Sequence, residues 1–377
     1  MTTGLPAAAV PDGPLHVRVR GSGPRRWYFG GSDYFRLSWN PLVRGHLART
    51  IRSGGVDAAA SRVTTGNLPT YGEAEARLTR WMGCPGAVLT ATGYLSSLVA
   101  AQATAPRSDG AVVVEGSHPS LRDAAAASGL PVEVVTEPET LRDLCRARGW
   151  SRPLLLLDGM GALNGRARRV TPWLEALPEA GWCLWDDAHG VGTMGRRGRG
   201  TLELEGVRDP RLIVSFTLSK AFGLYGGVVS GPKWIPSAVW EYSRAARGGT
   251  PIPPAYASAV PVVLDLLERD GPGWRGVIEG HRTQIFRALG ALPGVDRSGH
   301  VGPVIGLAAA TTRDRTRLEK ALVKAAVEPP FIHYPGGPEG GLFRFSVSSG
   351  HPVSAVGRLA EVLASVCASA PDGYRVL

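Results

Sequence analysis

No stretch of this 377-residue chain approaches the roughly 18 uninterrupted apolar residues of a membrane helix. Its start, MTTGLPAAAVPDGPLHVRVR, has only a short apolar patch broken by Pro and Asp. No secretory leader is expected there, and a cytoplasmic setting is. Cysteine is scarce. Cys84, Cys145, Cys183 and Cys367 stand far apart and form no CxxC, which argues against a disulfide scaffold or a zinc site. Free thiols in a reducing compartment, packed as small hydrophobes, fit better. Also missing is any massed basic tail or basic stripe interleaved with aromatics. The net charge of +10 is spread over short runs such as GPRRW, GRARRV and GRRGRG, so a nucleic-acid partner is not expected. A basic surface that attracts anionic substrates is the better explanation.

What is present is ordinary for a globular enzyme: 44% hydrophobic and 20% charged residues, with Gly 50 and Pro 30 scattered between apolar runs. The length suffices for a large core and for more than one domain. Residues 1–45 read as a lead-in with one strand, LHVRVR. In PTYGEAEARLTRW, Ala74, Leu78 and Trp81 recur at i, i+4 and i+7, which predicts a helix over 69–81. The apolar runs at 111–115, 132–135, 153–159, 181–187, 211–216 and 226–231 read as strands. Helical segments such as LRDAAAASG, ETLRDLCRARG and PWLEALPEA separate several of them. Apolar strands alternating with helices predict an α/β fold with a mostly parallel sheet covered on both faces. Composition changes near Pro253 and Pro254. A large domain over 46–255 and a small α+β domain over 256–377 are therefore expected, with FRALGALP, LEKALVKAAV and AVGRLAEVLASV as helices and VIGLAAA and FRFSVSS as strands.

Four short motifs carry chemistry. In TLSKAFG, Lys220 follows a strand at the end where open α/β sheets gather ligands. Its amine suits a Schiff base with an aldehyde cofactor, and Thr217 and Ser219 suit a phosphate. Alone, the motif more often marks a surface lysine in a loop. In DDAHG, Asp186 closes an apolar strand, where a carboxylate is costly unless paired. A protonated pyridine nitrogen is a suitable partner, with His189 placed for a phenolic oxygen. A strand-end turn is the plain alternative. A metal reading of Asp186, Asp187 and His189 lacks further ligands at useful spacing. In GSHPS, His118 suits stacking on a ring face and proton transfer, or a structural role. In TATGYLSS, Thr92 and Gly93 offer a hydroxyl and N–H groups to a phosphate at a helix N-terminus, and Tyr94 offers a ring. Each signal is weak singly. Their order, each at the end of a strand, is the stronger one.

With these motifs in hand, the sequence resembles the fold-type I pyridoxal-phosphate enzymes, and more narrowly the α-oxoamine synthases. The resemblance runs from about Tyr28 to Leu363 and is densest in DDAHGVGTMGRRGRG and TLSKAFGLYGG. It implies pyridoxal 5'-phosphate as cofactor, Lys220 as its covalent anchor, Asp186 as partner of its ring nitrogen and His189 as partner of its phenolic oxygen. It also implies that His118 stacks on the ring and that Thr92, Gly93, Tyr94 and Thr217 lie around the phosphate. Thr250 falls where the family brings a hydroxyl from a neighbouring subunit, implying a homodimer with a shared active site. The implied reaction condenses an amino acid with an acyl thioester, losing the carboxylate to give an α-aminoketone. An aminotransferase is the alternative.

Several positions depart from the family pattern. The motif SMDGD reads ALNGR from Ala162 to Arg166, a histidine-asparagine-aspartate triplet reads TEPE from Thr136, and a common histidine is Tyr71. His333 stands where an arginine usually holds the substrate carboxylate. Imidazole is a poor substitute for that bidentate fork. Arg344 matches a second arginine, which either stabilises the C-terminal region or has taken over carboxylate binding.

Overall fold

The computed structural model describes residues 9–19, 23–290, 292, 295 and 299–377. The described chain divides into two compact units. One is formed by 37–161 and 167–272, the other by 1–36, 162–166 and 273–377. The changeovers at 36/37 and 272/273 lie away from the 45/46 and 255/256 boundaries read from sequence. The short segment 162–166 also belongs with the C-terminal unit, which a linear partition does not reveal. The pair Pro253–Pro254 that suggested a boundary instead opens a helix, Pro254–Arg269, within the larger unit.

The larger unit is built on seven strands: β1 (Gly86–Thr90), β2 (Gly110–Val114), β3 (Val132–Val135), β4 (Pro153–Asp158), β5 (Trp182–Asp186), β6 (Leu212–Thr217) and β7 (Gly227–Gly231). Their order is β1-β7-β6-β5-β4-β2-β3. Only β7 runs against its neighbours, pairing antiparallel with β1 and β6. The strands from β6 to β3 are parallel. The near-continuous apolar runs are explained by cover on both faces. Alternate residues of one strand serve the two cores: Leu154 and Leu156 pack with Val113, Leu184 and Ile213, while Leu155 and Leu157 pack with Val112, Cys183 and Trp185. Helix Gly93–Thr104 lies over β6 and β7 and contacts helix Pro119–Ala127. The predicted 69–81 helix runs Pro69–Met82, with Tyr71, Ala74, Leu78 and Trp81 buried. Helix Pro41–Gly54, capped by the Asn40 side chain, was not read from sequence.

The smaller unit contains an antiparallel sheet, Phe331–Ile332, Leu342–Ser346, Val304–Ala309 and Tyr374–Val376, with helices Thr312–Lys324 and Val353–Ser369. A second sheet joins Ala9–Pro11, His16–Val19 and Arg25–Tyr28 to Val327–Glu328. The expected strand LHVRVR is thus present over His16–Val19, and its Arg20 lies outside the described residues. The segment FRALGALP ends a long helix at Leu289, with Ala291 and Pro293 outside them.

Candidate active site

The carboxyl ends of β1, β4, β5 and β6, with the loop after β2, bring the chemically equipped residues of the larger unit together. At the end of β1, Thr92 is the N-cap of helix Gly93–Thr104, and its Oγ1 accepts from the Leu95 N–H at 3.1 Å. The first N–H groups of that helix have no intrahelical acceptor, which suits them to an anion. Gly93 is required by close approach: a Cβ there would lie 2.4 Å from the Thr217 Cβ. Thr217 therefore sits against the helix start. Its Oγ1 lies 2.8 Å from the exposed Ser219 hydroxyl and accepts from the Ser219 N–H at 3.1 Å. One helix terminus and two hydroxyls make a cradle of the right chemistry for a phosphate monoester.

Asp186, at the end of β5, is buried with 7% of its surface exposed. Its Oδ1 accepts from the Ala188 N–H at 3.0 Å and its Oδ2 from the Ser97 hydroxyl at 3.1 Å. Burial pushes this carboxyl above the ordinary range, while the charge of Lys220 draws it back most, followed by the Ala188 N–H, His118 and Ser97. A cation placed beside Asp186 would keep it ionised, and a pyridinium meets that need. His189, three residues on, is buried at 6% exposure. Asp187 points elsewhere. Its Oδ2 accepts from the Thr201 N–H at 2.7 Å, and burial pushes its carboxyl up to about 7.

His118 is the N-cap of helix Pro119–Ala127. Its Nδ1 accepts from the Ser120 N–H at 3.1 Å and lies 2.7 Å from the Ser120 hydroxyl. With Nδ1 an acceptor, the neutral ring carries its proton on Nε2. Desolvation lowers the His118 pKa, with Asp186 raising it and Lys220 lowering it further. Its backbone N–H donates to Asp158 Oδ2 at 2.7 Å. Asp158, opposite Asp186 in the β4–β5 register, is pushed up to about 7, first by burial and then by the Asp186 charge. The Lys220 charge acts on Asp186, Asp158 and His118 alike, which brings the amine and the β5 carboxylate into one electrostatic cluster.

Sequence reasoning missed three members of this cluster. Asp158 was hidden in the apolar run PLLLLDG, where its place at a strand's end was the available signal. Ser97 reaches Asp186 from helix Gly93–Thr104, packed on the sheet. Ser120 fixes the His118 tautomer from two residues away. Tyr94 is 41% exposed, bonds the Asp123 carboxylate through its hydroxyl, and meets the His118 ring edge-on with centroids 6.1 Å apart. Thr250 is exposed in the loop before helix Pro254–Arg269. Tyr71 is fully buried and donates to the Ile252 carbonyl at 2.9 Å, with Arg62 over its ring.

In the smaller unit, the Arg344 Nε donates to the Ala162 carbonyl at 2.7 Å and its Nη1 to the Ser346 hydroxyl at 3.1 Å. Arg344 thus ties the 162–166 segment to that unit's sheet. His333 is exposed beyond strand Phe331–Ile332, its ring edge-on to Phe331 at 5.4 Å.

Comparison with known proteins places this arrangement. Residues 46–363 match the model of the aminotransferase class I and II family. The chain is 29% identical over 346 residues to 8-amino-7-oxononanoate synthase of Yersinia enterocolitica, covering 90% of this chain and 88% of that protein. Serine palmitoyltransferase of Sphingomonas wittichii superposes with a TM-score of 0.85 at 21% identity, over 96% of this chain and 92% of that one. The Francisella tularensis 8-amino-7-oxononanoate synthase superposes with a TM-score of 0.76 at 19% identity, over 91% and 98%. The resemblance to the α-oxoamine synthases read from the motifs and the fold-type I architecture both hold. The chain belongs to the aminotransferase class I and II family, and these relatives by sequence and by fold are α-oxoamine synthases.

Proposed function

We propose that this protein is a pyridoxal-phosphate-dependent acyltransferase that joins the α-carbon of an amino acid to the acyl group of an acyl thioester, releasing the free thiol and the carboxylate as carbon dioxide to give an α-aminoketone. The observation that carries the reading is the cluster at the strand ends: a buried carboxylate, an amine acting on it electrostatically, and a helix-terminal hydroxyl cradle. When bound, the cofactor supplies a conjugated ring that takes up an electron pair left on the substrate's α-carbon.

Each residue's part follows from its surroundings. Lys220 would hold the cofactor through its aldehyde carbon, and its free amine would be the base for the substrate's α-proton. Asp186 stays ionised against the ring nitrogen and keeps a proton there, while Ser97 and the Ala188 N–H hold the carboxylate's orientation. His189 meets the phenolic oxygen. His118, its Nδ1 engaged by Ser120, would stack on the ring and hold its Nε2 proton toward the thioester carbonyl. Thr92, Gly93, Thr217 and Ser219 hold the phosphate, with Tyr94 beside them. Thr250, exposed in the single chain, would reach the phosphate held by a second copy, which makes the working form a homodimer on this reading. A cytoplasmic setting accompanies this reading. Arg344 is engaged within its own unit and has a structural part.

The relatives are synthases, and amine transfer is not favoured. A panel of amino acids labelled with carbon-13 in the carboxylate, incubated with acyl thioesters, tests this. Labelled carbon dioxide should appear with the amino acid and thioester together. Release of an oxo acid from the amino donor alone, with conversion of the cofactor to pyridoxamine phosphate, would show an aminotransferase instead.

A further inference from the structure

The larger unit holds a second concavity that the proposed reaction does not use. It has a volume of about 690 Å³, within the range of small-molecule sites, and lies where β6 begins and β7 ends. Leu212 lines this cavity and Thr217 belongs to the cluster described above. Five steps along β6 separate them, about 17 Å at ~3.3 Å per residue. Met82, Pro85, Leu202, Val207 and Val214 make its walls apolar.

Three cations, Arg199, Arg208 and Lys233, stand around those walls, and none makes an ion pair with a carboxylate among the described residues. The two acids present are occupied. Glu203 Oε2 accepts from the N–H groups of Arg197 and Arg199 at 3.0 Å each, and Asp209 pairs with Arg211 at 2.7 Å. Arg199 is drawn inward: a Cβ at Gly83 would lie 2.8 Å from its Nη1. Its buried Nε has no hydrogen-bond partner among the described residues, and burial lowers its pKa. Ser230, 1% exposed, has a hydroxyl with no nitrogen or oxygen partner among them, facing the Cys84 thiol. A buried donor left unmade costs free energy that a ligand can recover.

We propose that this cavity binds a small molecule with an apolar body and one anionic head, the head meeting Arg199 and Ser230 and the body lying against Met82, Leu202, Val207 and Val214. Arg208 and Lys233, both exposed, supply the attractive field at the mouth.

Cys84 makes the proposal measurable. It lines the cavity and is partly exposed, whereas Cys145, Cys183 and Cys367 are buried. The cofactor-loaded protein would be treated with N-ethylmaleimide, and modification of Cys84 followed by peptide mass, with octanoate, octanol or inorganic phosphate present. Saturating octanoate should slow the modification at least fivefold, while octanol and phosphate, each lacking one half of the ligand, protect far less. Arg199→Gln should weaken octanoate protection at least tenfold. Lys233→Gln, on the exposed rim, should weaken it about twofold to fivefold and stands in if the first variant does not fold. Equal protection by octanol, unchanged protection in the variants, or a Cys84 that is inert without ligand because a second copy covers it would each overturn the proposal.

Discussion

The two ends of the seven-stranded sheet differ in how polar groups are used. At the carboxyl ends of the parallel strands, Thr92, Asp158, Asp186 and Thr217 each lie at or just beyond the last residue of a strand, where the chain leaves the sheet and its next groups turn toward a ligand. Their burial is tolerated because neighbours answer them: Ser97 and the Ala188 N–H for Asp186, the His118 N–H for Asp158. At the other end the walls are apolar and the acids are already engaged, so the charged groups left over are cationic. On the readings proposed above, one end suits a ring with charge at both poles and the other an apolar body with one negative head.

The comparison breaks first at Asp186. Asp186→Asn removes the charge that keeps the ring nitrogen protonated while preserving shape. Turnover should fall on the order of 10²–10³-fold with cofactor binding largely retained. Steady-state rates and cofactor stoichiometry measure both, and near-normal turnover would remove Asp186 from its role. A smaller effect is expected at the phosphate cradle. Gly93→Ala places a Cβ against Thr217, and the helix start must shift. Affinity of the stripped protein for pyridoxal 5'-phosphate should drop by about tenfold or more, as an overpacking cost of roughly 1–3 kcal/mol implies. Unchanged affinity in a fluorescence titration would place the phosphate elsewhere.

Asp187 sharpens the contrast with its neighbour. Its folded pKa of about 7 lies above the ordinary 3.8, so the fold favours the protonated form. The stability this confers is fully present below about pH 4 and is lost as pH rises through 7, an upper bound of roughly 4 kcal/mol at 1.36 kcal/mol per unit. Asp187→Asn cannot ionise there. Its denaturation midpoint should decline less between pH 5 and pH 8 than that of the parent, and identical declines would contradict the assignment.

The candidate residues at the carboxyl end could be picked out in the sequence, and the reason is local. Lys220, Asp186, His118 and Thr92 each sit in a run of four to seven residues whose apolar lead-in marks a strand and whose small residues mark a turn. The alternating strand and helix rhythm likewise gave the covered parallel sheet, because burial on both faces leaves a continuous apolar run. What was not legible depends on distant partners. Nothing near Ser97 announces that it meets Asp186, 89 positions along the chain. The antiparallel β7 has the same apolar composition as its parallel neighbours. The segment 162–166 joins the smaller unit through pairing such as the Arg166–His300 bridge and the Arg344 bond to Ala162. The cavity at the far end is lined from segments near 82–85, 199–214 and 230–233, brought together only by the fold.

The central claim, that one amine anchors the cofactor opposite Asp186, has a direct test because the chain has only four lysines, Lys220, Lys233, Lys320 and Lys324. The purified protein, loaded with pyridoxal 5'-phosphate, would be reduced with borohydride, digested and analysed by mass spectrometry. The account predicts a stable pyridoxyl label on Lys220 and its loss in Lys220→Ala. A label on another lysine, or the same labelling in Lys220→Ala, would contradict it.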